Sequence, residues 1–134
     1  ATLHTSSAAQ TVQRYLKLIP SERIENATLS FADSFRGILC QRLLFDEAKG
    51  KRFPIHELLL PYDSVCGMIR RSEFKNLEQE LEAGFTRGMM SFERCLQNRV
   101  ADGWKPTTTR KTGYQEHEVY DFLSKENLTS VYVV

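Results

Sequence analysis

The stretch ATLHTSSAAQTVQR, residues 1–14, joins a short apolar segment to a segment rich in hydroxyl side chains. The apolar segment predicts a strand that ends on His4. Ser7 predicts a helix N-cap, and Gln10 follows three residues later in the capping-box position. Apolar residues then recur at the spacing of one helix face, at Val12, Tyr15, Leu16 and Ile19. We therefore expect His4 at the carboxyl end of a strand, beside a helix N-terminus.

This position favours a ligand-binding role for His4. In α/β proteins ligands bind beyond the carboxyl ends of strands, and a helix N-terminus offers free N–H groups to an anion. A neutral imidazole at that point could donate a hydrogen bond to a phosphate or orient a water molecule. The spacing alone is also compatible with a histidine that has only a surface or hinge role.

The pattern ATLHT-x-x-A-x-x-T-V-x-R resembles the histidine box of the secretion-superfamily ATPases. These include type IV pilus retraction motors (PilT-like) and type IVB secretion and conjugation ATPases (DotB-like). The resemblance implies that His4 is a catalytic sensor of the nucleotide γ-phosphate, and that His4, Thr5 and Arg14 contact the nucleotide. The matching positions are Ala1, Thr2, Leu3, His4, Thr5, Ala8, Thr11, Val12 and Arg14.

Composition is that of an ordinary globular domain. The chain has 134 residues, of which 41% are hydrophobic and 26% charged, with a net charge of +1. This charge and the lack of a basic-aromatic cluster argue against nucleic-acid binding. No apolar run approaches the roughly 20 residues needed for a transmembrane helix, and no signal-peptide pattern opens the chain.

The cysteines and histidines do not fall at metal-ligand spacing. The three cysteines, Cys40, Cys66 and Cys95, are far apart in sequence and lack a C-x-x-C pair. We expect buried, reduced thiols in a cytoplasmic protein. The three histidines are also far apart, and we predict no bound metal.

Further elements follow from the spacing of apolar residues. We predict a second helix that is capped by Ser21, and then a β-hairpin with strands at 38–45 and 52–60, in which Pro54 indicates an edge position or a bulge. A third helix starts at Pro61 and Asp63, and a charged helix covers 73–85. A last helix is capped by Ser91, with Phe92, Cys95, Leu96 and Val100 facing inward. Residues 129–134 are β-prone and predict an edge strand of this domain or of a neighbour.

Two more segments resemble the same ATPases. The hairpin is preceded by Asp33-Ser34-Phe35-Arg36-Gly37-Ile38, and residues 84–96 carry the pattern G-x-x-x-G-M-x-S-F-E-x-x-L. In the retraction motors A-I-R-N-L-I-R-E stands where this chain has residues 64–71. Here Cys66, Gly67 and Arg71 replace the arginine, asparagine and glutamate, which favours a diverged pilus or conjugation motor.

The resemblance also assigns roles to three further arginines. Arg36 and Arg42 could face a phosphate or a neighbouring subunit, and Arg70 could lie at a subunit interface. Exposed arginines are also often simply solvated or paired with a nearby carboxylate.

The predicted fold is α/β. It is the C-terminal part of a RecA-like P-loop ATPase core, with a strand, helices and a β-hairpin, followed by a helical subdomain. We expect the core portion at 1–60, the helical subdomain at 61–104, and a linker and tail at 105–134.

The phosphate-binding motif G-x-x-x-x-G-K-[ST] does not occur in these residues. The resemblance therefore implies part of a hexameric motor for a type IV pilus or a secretion or conjugation machine. The complete motor would use ATP and Mg²⁺, whereas this chain alone would bind no cofactor and be inactive. Its partners would be the other subunits and an inner-membrane platform protein, in the cytoplasm at the inner membrane.

Two other interpretations remain. The chain could be a stand-alone, non-catalytic interaction module that docks on such a motor. It could also be a cysteine-nucleophile enzyme in which Cys40 or Cys95 pairs with His56, although neither cysteine lies on a strand-to-helix elbow.

Overall fold

The computed structural model describes residues 2–3, 5–107 and 130–133 of the chain. His4 and most of the predicted tail at 105–134 lie outside the described residues. The described part is a small α/β fold. Its elements are β1 (Thr2–Leu3), α1 (Ala8–Lys17), α2 (Ile24–Ser34), β2 (Ile38–Asp46), β3 (Lys51–Leu59), α3 (Asp63–Arg70), α4 (Leu77–Ala83), α5 (Phe92–Ala101) and β4 (Ser130–Val133), with 3₁₀ turns at Ser21–Arg23, Phe74–Asn76 and Gly84–Arg87.

The strands form one antiparallel sheet in the order β1-β4-β2-β3. The predicted hairpin is confirmed as β2 and β3, and β3 lies at the edge of the sheet as Pro54 indicates. The prediction of an edge strand from the tail is wrong. β4 lies between β1 and β2, where its backbone groups pair on both sides.

The predicted first helix is confirmed as α1. Ser7 is its N-cap, and the Ser7 hydroxyl accepts a hydrogen bond from the backbone N–H of Gln10 at 3.2 Å. Val12 and Leu16 are buried on its apolar face. The capping box is half made, because the Gln10 side chain binds the Ser6 hydroxyl instead of the backbone of Ser7.

Apolar residues from most elements pack into two clusters. The larger one combines α1, α2 and the sheet with α3, α4 and Met89, so it draws on both sides of the predicted boundary at residues 60 and 61. Leu58 and Met90 also exchange two backbone hydrogen bonds, of 2.8 and 3.1 Å. The smaller cluster joins the distal end of the hairpin to α5. The division into three regions stays a prediction.

Three local predictions differ from the structure. Val100 was expected to face inward but is 46% exposed, because α5 packs on the sheet through Cys95 and Leu96, one turn earlier. Ser21 makes no capping bond and opens a 3₁₀ turn. The charged helix expected at 73–85 is shorter, since 3₁₀ turns flank α4 on both sides.

The cysteines behave as predicted, since all three are free and buried. No helix in the described part of the chain has the length and apolar character needed to cross a membrane.

Candidate functional site

Hydroxyl groups close the turn that leads from β1 into α1. Thr5 and Thr11 are buried, and their Oγ1 atoms are 2.5 Å apart. Thr11 also donates to the carbonyl oxygen of Ser7 at 2.8 Å. The residue directly after His4 is therefore fixed onto the first turns of α1.

Two charged side chains on the hairpin reach this same turn. Arg42 on β2 is only 6% exposed, and its Nη2 atom donates to the carbonyl oxygen of Ser6. Its guanidinium lies 4.0 Å from the centre of the Phe92 ring, a cation–π contact. Glu57 on β3 is buried, and its Oε1 atom accepts from the backbone N–H of Ala8 at 2.7 Å.

Burial dominates the electrostatics of this cluster. It raises the pKa of Glu57 to about 7, although the backbone N–H of Ala8 and the charge of Arg42 act in the opposite direction. Burial lowers the pKa of Arg42, and the charge of Glu57 opposes that shift. Cys40 faces Glu57 across the hairpin, and burial together with the Glu57 charge raises the pKa of its thiol to about 12.

The cluster opens into a cavity of about 360 Å³. Its walls include Ser7 and Ser91, the N-cap residues of α1 and α5, so two helix N-termini meet there. The same cavity is lined by four acidic side chains, which weigh against an anionic ligand at this point. The acidic residues are Glu57, Glu78, Glu82 and Glu93.

The other predicted site residues are distributed over the surface. Arg14 is exposed on α1, and Arg36 is exposed just before β2. Arg70 binds Asp33 through an ion pair of 2.5 Å between exposed side chains. The predicted roles of His4, Thr5, Arg14, Arg36, Arg42 and Arg70 in binding nucleotide or a neighbouring subunit stay predictions.

Sequence reasoning missed Glu57, although the sequence held a signal. Phe53, Ile55, Glu57 and Leu59 alternate along β3, and all four are buried. A period of two places every second residue of a strand on one face. An acidic residue on the apolar face of a strand indicates a buried carboxylate with specific partners.

The structure brings Cys95 and His56 together, as the cysteine-nucleophile hypothesis requires. Cys95 Sγ lies 3.6 Å from His56 Nδ1 and accepts from the His56 backbone N–H at 3.4 Å. Burial and the nearby charge of Arg99 lower the pKa of His56, so its imidazole is neutral at pH 7. Cys40 instead lies next to Thr11.

A metal site can be assessed only for residues 2–3, 5–107 and 130–133. In these ranges no three His, Cys, Asp or Glu side chains are grouped so that they could hold a metal ion.

Curated proteins related to the chain include type IV pilus ATPases, a twitching motility protein and an uncharacterised protein. The chain is 34% identical over 103 residues to the uncharacterised protein YggR of Escherichia coli K12, covering 77% of this chain and 31% of YggR. It is 28% identical over 102 residues to the type IV pilus retraction ATPase PilT of Pseudomonas aeruginosa, and the match covers 76% of this chain and 29% of PilT. It is 29% identical over 102 residues to a twitching motility protein of Neisseria gonorrhoeae, and the match covers 76% of this chain and 27% of that protein.

A solved structure has a fold similar to that of the chain. A crystal structure of the pilus retraction motor PilT with bound ADP superposes with a TM-score of 0.53 at 24% identity, covering 71% of this chain and 30% of that one. No protein-family model matches the chain. The chain spans about 30% of the length of the relatives that it matches. Over three quarters of its residues, the chain is therefore homologous to one part of the secretion-superfamily ATPases that include PilT, as the histidine-box resemblance predicted.

Proposed function

We propose that this chain is the C-terminal part of a hexameric, ATP-hydrolysing motor that drives a type IV pilus or a type IV secretion or conjugation machine. The observation that carries the proposal is the homology of about 77% of the chain to about 30% of YggR and the pilus ATPases. The strand-turn-helix arrangement around the histidine-box segment supports it.

His4 is the residue of this chain that contacts the γ-phosphate in the proposal. It directly precedes Thr5, which is fixed to Thr11 at the start of α1. From that position a neutral imidazole donates a hydrogen bond to a γ-phosphate oxygen or orients the attacking water. Thr5 and Arg14 complete the contribution of this segment to nucleotide binding.

The remaining parts of the phosphoryl-transfer site come from outside these 134 residues. Phosphoryl transfer needs a phosphate cradle, a lysine, and Mg²⁺ held by a hydroxyl and an acidic side chain. The motif for the cradle is absent here, and the described residues hold no cluster that would bind the metal. In the proposal the isolated chain therefore does not hydrolyse ATP.

In this proposal the helical region packs against the next subunit and passes movement to it. Exposed arginines contribute to the contact between subunits. Arg36 and Arg70 are exposed and can reach a neighbouring subunit, whereas Arg42 is buried against Ser6 and Phe92. The motor works in the cytoplasm against a platform protein of the inner membrane.

A non-catalytic module that docks on such a motor is the second candidate. The position of β4 between β1 and β2 favours this module. With β4 in place, the described strands form one continuous sheet from residues of this chain.

One experiment separates the two candidates. The reading frame upstream of the codon for Ala1 is sequenced. An in-frame G-x-x-x-x-G-K-[ST] supports the motor, and a stop codon followed by a separate start site supports the module.

If the motif is present, the complete protein is assayed with His4→Ala. The expected result is retained ATP binding with lost turnover, and His117→Ala, a histidine outside the resemblance, serves as the matched control. Wild-type turnover in His4→Ala would contradict the γ-phosphate role.

A further inference from the structure

The carboxylate of Glu57 lies between the N-terminal ends of two helices. Its Oε1 atom accepts from the backbone N–H of Ala8, the first residue of α1, at 2.7 Å. Glu57 also lines the same cavity as Ser91, the N-cap of α5, and Phe92, the first residue of that helix. A negative charge at a helix N-terminus interacts favourably with the helix dipole, and here one charge serves two helices.

Arg42 strengthens the same junction from the neighbouring strand. It donates to the carbonyl oxygen of Ser6 and packs on the ring of Phe92. The two hairpin residues therefore both contact the segment after His4, and both line the cavity at the first residue of α5. Residues 6–8 are therefore bonded both to Arg42 on β2 and to Glu57 on β3.

Stability alone does not account for a glutamate at this position. The other inward residues of β3, Phe53, Ile55 and Leu59, are apolar and buried. Burying an ionised carboxylate costs free energy that an apolar residue of similar size would not cost. A glutamate here gives the turn a specific acceptor, at the expense of some stability.

We propose that Glu57 is a positioning residue whose carboxylate holds the N-termini of α1 and α5 together and so fixes the segment that follows His4. The inference rests on the proposed function, in which that segment carries the γ-phosphate contact. Because this carboxylate and Arg42 lie between the segment and the start of α5, the position of the segment is coupled to the helical region that follows the hairpin.

Charged and titratable groups on β2, α4 and α5 lie around Glu57. Arg42 and Cys40 on β2 face it, as do Glu78 and Glu82 on α4 and Glu93 on α5, while α1 contributes only backbone N–H groups. Arg42 favours the ionised form of Glu57, and Glu78 disfavours it. The arginine is charged over the pH range of interest, so a titration near pH 7 at Ala8 belongs to Glu57.

The test is an NMR titration of the 134-residue chain between pH 5 and pH 9. The amide proton of Ala8 should move downfield in one step with a midpoint near pH 7, as its acceptor becomes a carboxylate. In Glu57→Gln that step should vanish, while the amide signals of residues 5–8 stay close to their wild-type positions because glutamine keeps an acceptor oxygen. In Glu57→Ala these signals should shift, and Ala8 should exchange its amide hydrogen about tenfold faster.

Glu82→Gln is the matched control, since it removes a charge from the wall of the same cavity but leaves the Ala8 bond intact. Its Ala8 titration should match the wild type. The amide of Val12, inside α1, reports global unfolding and should exchange equally in all variants after correction for stability.

Two results would overturn the proposal. One is an Ala8 titration that persists in Glu57→Gln. The other is an equal acceleration of exchange at Ala8 and Val12 in Glu57→Ala, which would assign Glu57 a merely structural role. Neither result depends on ATP turnover, so a failed His4 assay and a failed Glu57 test are separate outcomes.

Discussion

Cys95 Sγ lies 3.6 Å from His56 Nδ1 and, at the same time, accepts a hydrogen bond from the backbone N–H of His56 at 3.4 Å. A catalytic Cys–His pair is usually a thiolate beside an imidazolium. The lowered pKa of His56 leaves a neutral ring at pH 7, and Cys95 packs in the smaller apolar cluster. The contact between Cys95 and His56 is therefore a packing contact and not an activated catalytic pair.

This relationship predicts slow thiol chemistry. At pH 7 the thiols of the folded chain should react with a disulfide reagent at least about tenfold more slowly than those of the urea-unfolded chain, since reaction requires local opening. His56→Ala should not slow the reaction of Cys95 further. A Cys95 that reacts faster than the unfolded thiols, and slows in His56→Ala, would restore the nucleophile hypothesis.

Gly84→Ala should destabilise the chain by about 1–3 kcal/mol. A Cβ at this position would lie 1.8 Å from Cε of Met89, which is fully buried. Urea unfolding measures the change. Gly67→Ala is the control, because its Cβ meets only the guanidinium of Arg71 and alanine favours a helix; its stability should stay equal or rise by about 0.5–1 kcal/mol.

The carboxylate of Asp46 should make the chain sensitive to acid. It accepts from the backbone N–H groups of Lys49 at 3.1 Å and Lys105 at 3.0 Å, and these bonds lower its pKa. A lowered pKa gives stability that is present above about pH 4 and is lost as the pH falls through the pKa of the folded state. Asp46→Asn should therefore lower the melting temperature at pH 7, and the difference from wild type should shrink toward pH 2. A constant difference would contradict this.

Glu57 should give the chain a pH dependence of stability opposite to that of Asp46. Its pKa is raised from 4.5 to about 7. The free energy of unfolding that Glu57 contributes is therefore present at low pH and is lost as the pH rises through 7. The shift corresponds to roughly 3 kcal/mol. The stability of Glu57→Gln relative to wild type should therefore rise between pH 5 and pH 8, as thermal unfolding would measure. Glu82→Gln should show no such trend.

The two serine caps predict a further pair of measurements. Ser7 accepts from the Gln10 backbone N–H and Ser91 from that of Arg94, both at 3.2 Å. Ser7→Ala and Ser91→Ala should each cost about 1 kcal/mol in urea unfolding. Ser6→Ala, which removes only an exposed bond to the Gln10 side chain, should cost less than about 0.5 kcal/mol. Equal losses at Ser6 and Ser7 would argue against the capping role.

Elements encoded by neighbouring residues could be predicted, and contacts between distant residues could not. The Ser7 cap and the faces of α1 follow from spacing, as does the hairpin with Pro54 at the edge. The partner of Glu57 is Ala8, 49 residues away, and no local pattern specifies it. The position of β4 also depends on which strand edges the fold leaves open, and this is a tertiary property.

The place of β4 in the sheet has a consequence for the order of assembly. Thr2 pairs with Tyr132, and Ile38 with Val133, so among the described strands β1 is joined to the hairpin through β4. During synthesis the hairpin and the helices can form before β4 has left the ribosome, whereas the pairing of β1 with β4 and of β4 with β2 has to wait for it. Pairings of such large sequence separation form slowly. A nascent chain stalled before residue 130 would therefore carry a formed hairpin but lack the strand that joins β1 to it.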